Sequence, residues 1–229
     1  MASPGRPPQR GGARLDRERI LDAARHISDT EGLPALTMRR LGTELGVDST
    51  AVYRHFRSKD ALLSALIDGL FVNIPEPRPE QPWRSNLRDI MRSWWRIYRD
   101  HAGLAQAMAG QSDDEPLLFH LTDWCLRELL RAGIPVDEVG HAYQAVYNLV
   151  VGHGLVAAFS PWLTETAPRD EQRRTYAALD PAVFPSAQSA AAHLYPDPEE
   201  VFSVSTELLL DALQARGQRS TGTTAPAAP

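Results

Sequence analysis

Apolar residues recur three and four positions apart along most of the chain, the spacing of a buried helical face. Ile20, Ala24 and Ile27 mark a first helix within residues 15–30, which Gly32 ends with Pro34 in the loop beyond. Met38, Leu41 and Leu45 mark a second helix, opened by Thr37. Gly46 follows at once, where a chain leaving a helix often takes positive φ. Asp48 can cap a third helix by accepting from amides two or three residues on, and Phe56 supplies its apolar anchor. Ser58 caps a fourth, with Leu62, Leu63, Leu66, Ile67 and Leu70 on its buried face. Residues 37–59 therefore read as a helix-turn-helix, whose second helix enters a DNA major groove by its N-terminal end.

Four prolines between residues 75 and 82 cannot continue a helix. They separate a head, residues 15–74, from a body, residues 83–215. In the body the periodicity predicts helices over residues 83–101, 102–109, 116–132, 137–159 (capped by Asp137) and 198–215. The fourth of these is apolar nearly all round, so it should be buried on more than one side. Residues 160–198 are punctuated by proline and read as loop with one short helix near 171–179. Residues 1–14 and 216–229 are low in complexity and expected to be disordered. Arg6, Arg10 and Arg14 form either an arm for a minor groove or a solvated tail with no role. The expected fold is all-α: an N-terminal three-helix helix-turn-helix head joined to a larger helical ligand-binding and dimerisation domain.

Composition narrows the class. With 229 residues, 43% hydrophobic and 23% charged, the chain is ordinary for a soluble globular protein. No apolar run approaches the roughly 18 residues of a membrane span, and the first 14 residues lack the apolar core of a secretory signal. Cys125 is the only cysteine, which excludes an internal disulfide and suits a reducing cytoplasm. Net charge is −5, but residues 1–60 carry 11 basic and 8 acidic side chains, leaving 13 and 21 for the remainder. The front is basic and the back acidic, which points the front toward phosphates.

The run LGVDSTAVYRHFRSKDALL resembles the DNA-binding signature of the TetR family of bacterial repressors. The matching pieces are Thr37, Leu45-Gly46-Val47, Val52-Tyr53, His55-Phe56, Ser58-Lys59 and Leu62-Leu63, within residues 20–66. The resemblance implies a transcriptional repressor that binds double-stranded DNA at a palindromic operator. It also implies a homodimer built on the last two long helices, and release by a small-molecule effector. Ser49, Thr50 and Ala51, with Arg39, are expected at base edges; Thr37, Tyr53, His55 and Lys59 at phosphates; Arg54 at either. Lys59 is the only lysine beside 23 arginines and lies in the first turn of a helix, where anions gather.

Aromatic residues in the body point to an apolar pocket with polar handles. Trp94, Trp95, Tyr98 and His101 fall within two turns, and Trp124, Tyr143, Tyr147 and His153 lie on helices expected beside them; ordinary core packing is the alternative for each. The tetracycline-responsive branch of the resembled family uses a histidine-bearing metal–drug site; here His153 keeps one expected histidine but Met108 replaces another, which argues against such a chelate as effector. Gly152-His153-Gly154-Leu155-Val156-Ala157 matches a dinucleotide fingerprint, but the residues after it cannot form a βαβ unit, and close helix packing explains the glycines better. No metal-ligand spacing, nucleophile elbow or phosphate loop occurs. No cofactor, metal or enzymatic activity is expected. A ligand-independent architectural DNA-binding module and a helical enzyme with an appended head are the competing readings.

Overall fold

The computed structural model describes residues 15–109, 116–160 and 166–222. The proposed arginine arm and residues 223–229 lie outside them. Among the described residues there is no strand. The chain divides into two compact units, 1–62 and 63–229.

In the first unit, α1 (Arg17–Glu31) is capped by Asp16, whose carboxylate accepts from the Arg19 amide. Ile20, Ala24 and Ile27 are wholly buried, and Gly32 ends the helix at φ 82°. A 3₁₀ turn, Leu33–Ala35, leads to α2 (Met38–Leu45), where the Thr37 hydroxyl accepts from the Arg40 amide. Gly46 terminates α2 in the left-handed region at φ 68°, its N–H returning to the Gly42 and Thr43 carbonyls. A turn later Asp48 caps α3 (Ser49–Tyr53) by accepting from the Thr50 amide at 2.8 Å. Five residues cannot sustain a helix alone, so α3 depends on Val52 and Phe56, both buried. The Ser58 hydroxyl accepts from Ala61 and opens α4 (Lys59–Phe71), along which the division between the units falls.

In the second unit, α5 (Trp83–Asp100) buries Leu87, Ile90, Met91, Trp94, Trp95 and Tyr98 on one broad stripe. A 3₁₀ turn, Ala102–Leu104, and α6 (Ala105–Ala109) follow, then α7 (Pro116–Arg131), α8 (Val139–Phe159), α9 (Thr166–Ala177), α10 (Pro185–Ala190) and α11 (Pro198–Gly222). Helix α5 packs chiefly on α8. At Gly154 of α8 an added Cβ would meet the Tyr98 Cβ and Cγ at 2.5 and 2.6 Å, so only glycine fits there. Gly152 faces open space and does not share that role.

Three expectations change. Asp137 does not cap α8; the helix begins at Val139 with Glu138 in the cap position and no side-chain cap. The Glu138 carboxylate is committed to Arg216 of α11 instead, at 2.7 Å. Among the described residues, 166–197 hold two α-helices rather than one. Their prolines sit in first turns, Pro168 in α9 and Pro185 in α10, where no amide partner is lost. Finally α11 runs to Gly222 rather than ending near residue 215. Gly217 marks a crossing rather than a terminus: a Cβ there would fall on the Ala132 carbonyl, beside Gly133.

Candidate DNA-binding face and effector pocket

Short-range caps and one close backbone contact shape the head. Gly42 is buried in α2, and a Cβ on it would lie 2.9 Å from the Val47 carbonyl and 3.2 Å from the Ser49 amide. The missing side chain lets the turn fold back onto α2 and fixes where α3 starts. Thr50, Tyr53 and Arg54 are exposed, Tyr53 to 49%, whereas Ser49, Ala51 and His55 are half-buried. The Thr50 amide, bound to the Asp48 carboxyl, holds that group below its usual range. Asp48 thus keeps its charge as a cap.

Two arginines absent from the sequence-based site stiffen this unit. The Arg17 guanidinium lies 4.2 Å from the Phe56 ring centroid and donates to the His55 carbonyl at 3.5 Å, a cation–π contact fixing the end of the helix-turn-helix. Arg40 donates to Glu31 through Nε at 3.2 Å and to Glu44 at 2.9 Å. Its hydrogen bond holds the Glu31 carboxyl below the usual carboxylate range. Arg40 is spent on this network, while Arg39 and Thr37 are exposed. The Lys59 ammonium lies 3.5 Å from the Leu33 carbonyl, at the long limit of hydrogen bonding. Glu44, four residues on, was the available signal for one half of Arg40's pairing; Glu31, nine residues back on α1, and Arg17 carried no such mark.

In the body the adjacent tryptophans take different partners. Trp94 makes edge contacts with Phe71 (6.3 Å) and Tyr147 (5.7 Å). With Tyr98, Met108, Leu118, Leu121, Thr122 and Tyr143 these line a cavity of about 20 Å³, room for about one water. The Thr122 and Tyr143 hydroxyls pair at 2.9 Å, and burial pushes the Tyr98 hydroxyl pKa up. Trp95 instead stacks on Phe202 of α11 at 4.6 Å and 8°, with the Arg99 guanidinium 5.0 Å from its centroid.

The eight aromatic and histidine candidates therefore do not form one site. Trp94, Tyr98, Tyr143 and Tyr147 share the small cavity. Trp95 borders a separate open cavity of about 490 Å³ with Arg99, Pro198 and Glu199. His153, its pKa lowered by burial, lines another of about 270 Å³ with Tyr195 and Val201. His101 ends α5, and Trp124 tilts against His120; neither lines these cavities. Adjacent side chains on a helix point about 100° apart, which separates Trp94 from Trp95. Among the described residues no three His, Cys, Asp or Glu side chains could hold a metal ion, and no helix is long and apolar enough to cross a membrane.

A second polar cluster holds the proline-rich linker. The buried Asn86 side chain accepts from the Arg78 amide at 3.2 Å and donates to its carbonyl at 2.8 Å and to Glu128 at 3.2 Å. Arg131 donates to Glu128 at 2.6 Å and to the Pro79 and Gln81 carbonyls. Glu128 is 1% exposed; Asn86 and Arg131 both donate to one of its oxygens and the Arg127 Nε lies 3.7 Å from the other, partners that a buried carboxylate requires.

Comparison with known proteins agrees with this arrangement. Residues 20–66 match the family described as bacterial regulatory proteins, tetR family, and residues 76–216 match the tetracyclin repressor-like C-terminal domain. The chain is 31% identical over 187 residues to the tetracycline repressor protein class C of Escherichia coli, spanning 80% of this chain and 84% of that protein. It is 36% identical over 153 residues to the transcriptional repressor DrrR1 of Streptomyces coeruleorubidus, covering 65% and 56% respectively. Among solved structures, apo ActR from Streptomyces coelicolor superposes with a TM-score of 0.76 at 24% identity, covering 91% and 99%. BioQ of Mycobacterium smegmatis bound to its double-stranded DNA operator superposes at 0.58 and 25%, covering 88% and 99%. A capped, glycine-hinged helix-turn-helix followed by an all-helical body, matched along both parts, places the chain in the TetR family of bacterial transcriptional regulators.

Proposed function

We propose that this regulator is a cytoplasmic repressor that binds a palindromic operator as a homodimer and is released by a small aromatic effector. The observation that carries the DNA-binding part is α3, capped by Asp48 and set by Gly42, with Thr50, Tyr53 and Arg54 exposed. Ser49, Thr50 and Ala51, with Arg39, meet base edges. Thr37, Tyr53, His55 and Lys59 hold phosphates and fix register. Arg54 serves either surface. No catalytic role is assigned to any residue.

Exposed Val156 and Phe159 on α8 and Val204 and Leu208 on α11 supply the dimer face, since apolar side chains clustered in water favour burial against a second copy. Two heads then reach half-sites about 34 Å apart or slightly more. BioQ, a structural relative, has been solved on its DNA operator and ActR with actinorhodin, which supports both halves of the reading. We assign the effector to the cavity among Trp94, Tyr98, Tyr143 and Tyr147 because it is enclosed by aromatic rings with hydroxyl handles. Its occupation shifts the population toward head separations that no longer fit both half-sites.

Selection of bound sequences from random duplex DNA tests the proposal. A palindrome is expected, with a dimer in sedimentation at micromolar concentration. Failure to bind any duplex at low ionic strength, or a monomer under those conditions, would overturn it.

A further inference from the structure

The cavity beside Trp94 identifies its ligand more closely than its position does. Trp94 is 3% exposed, and its indole Nε1–H has no hydrogen-bond partner among the described residues. A buried donor left unpaired is costly, and structures that keep one usually have another use for it. The described lining residues carry no charge; they are aromatic or aliphatic apart from Thr122. The Phe71 and Tyr147 rings meet Trp94 edge-on rather than stacked. The Thr122–Tyr143 hydroxyl pair can reverse its donor and so meet either an acceptor or a donor.

We infer that the effector is an uncharged, planar aromatic compound carrying a carbonyl-type acceptor that receives the Trp94 Nε1–H. This rests on the reading of the cavity as the effector site. An anion or a metal chelate would shed its hydration with no described counter-charge to meet it, a loss apolar contacts do not return. An aliphatic ligand without an acceptor would leave the indole N–H unpaired. The cavity's small volume in this state means that the ligand enters by displacing lining side chains, Met108 first, since it is unbranched and repacks readily. A single trapped water, which that volume would also hold, is the competing occupant.

Three ring-matched probes separate these cases on the full-length protein by calorimetry: 9-fluorenone, with one carbonyl acceptor; fluorene, with none; and 9-fluorenone-2-carboxylate, with a charge. Fluorenone should bind at least tenfold more tightly than fluorene, and the carboxylate should not bind at a hundredfold higher concentration. Trp94→Phe should abolish the preference for fluorenone over fluorene, because both probes lose the same indole contact and only fluorenone loses the hydrogen bond. In unsubstituted protein labelled with ¹⁵N-tryptophan, one indole resonance, absent from the Trp94→Phe spectrum, should move downfield with fluorenone and not with fluorene. Equal affinity for fluorenone and fluorene, tight binding of the carboxylate, an unmoved indole resonance, or no binding of either neutral probe overturns the inference. If fluorenone binds through Trp94 yet leaves operator affinity unchanged, the release mechanism fails and the ligand class stands.

Discussion

Replacing Gly42 with alanine tests whether the closeness of α2 to the following turn sets the DNA-reading helix. The new Cβ would sit 2.9 Å from the Val47 carbonyl oxygen, 3.2 Å from the Ser49 nitrogen and 3.3 Å from its Cα. All three are backbone atoms, so no side-chain rotation relieves the overlap. Overpacking costs about 1–3 kcal/mol, and alanine's better helix propensity returns about 1 kcal/mol. A net loss of about 0–2 kcal/mol is expected, or about 2–4 °C of melting temperature for each kcal/mol in a chain of this size. Two controls isolate the cause. Gly46→Ala strains a left-handed φ of 68° but meets nothing within 4 Å, so it should lose about 1–2 kcal/mol of stability with α3 in place. Gly69→Ala faces open space on α4 and should be neutral or slightly stabilising. Thermal unfolding followed by circular dichroism gives the stabilities, and titration of the selected palindrome well below the melting range gives the affinities. Gly42→Ala should lose operator affinity while folded, and Gly46→Ala should not. Should Gly42→Ala melt and bind like Gly69→Ala, the close approach has no role in placing α3.

Other outcomes follow from single side chains. Lys59→Ala should weaken all duplexes alike and reduce the salt dependence of binding by about one unit of slope, measured by titration across salt concentrations. Thr50→Ala should change the ranking among operator variants, costing about 1–3 kcal/mol at the base it reads; loss without altered ranking would remove Thr50 from the base-reading set. Glu207 accepts from Arg88 and Arg84, and these hold its carboxyl down to about 2, from an ordinary value of 4.5. Its stabilisation is present above the higher value and lost as pH falls toward the lower. The stability difference between the parent and Glu207→Gln should therefore close on acidification to about pH 2, as followed by denaturant unfolding. Burial pushes the Cys125 thiol up to about 12, so a thiolate reagent at neutral pH should label it only after unfolding.

The head was largely legible because its structure is written in neighbouring residues. Thr37, Gly46, Asp48 and Ser58 each act within four positions of themselves, as caps or as a left-handed terminus. Gly42 escaped notice because its importance lies in what approaches it. The body was legible only where an apolar stripe faces one way. Trp94 and Trp95 are adjacent and both buried, so periodicity could not assign them to different cavities; the packing of α8 and α11 does. Pro168 and Pro185 read as breakers although each sits in a first turn, and Gly217 read as an end although it marks a helix crossing. In each case the chemistry of one residue has two meanings, and a partner distant in sequence chooses between them.

Lys59 stands alone as a lysine in a chain otherwise supplied with arginine, and that scarcity makes it a handle. An amine-directed acylating reagent can modify one side chain in the whole molecule, at the start of α4, with the chain's α-amine the other target. The product is defined by mass spectrometry without mutagenesis. The rate at which that position is acylated, with and without duplex, becomes a footprint of the phosphate contact proposed for it. Any cellular chemistry that neutralises lysine would find the same lone target and, on the role proposed for it, would act on grip rather than on sequence choice.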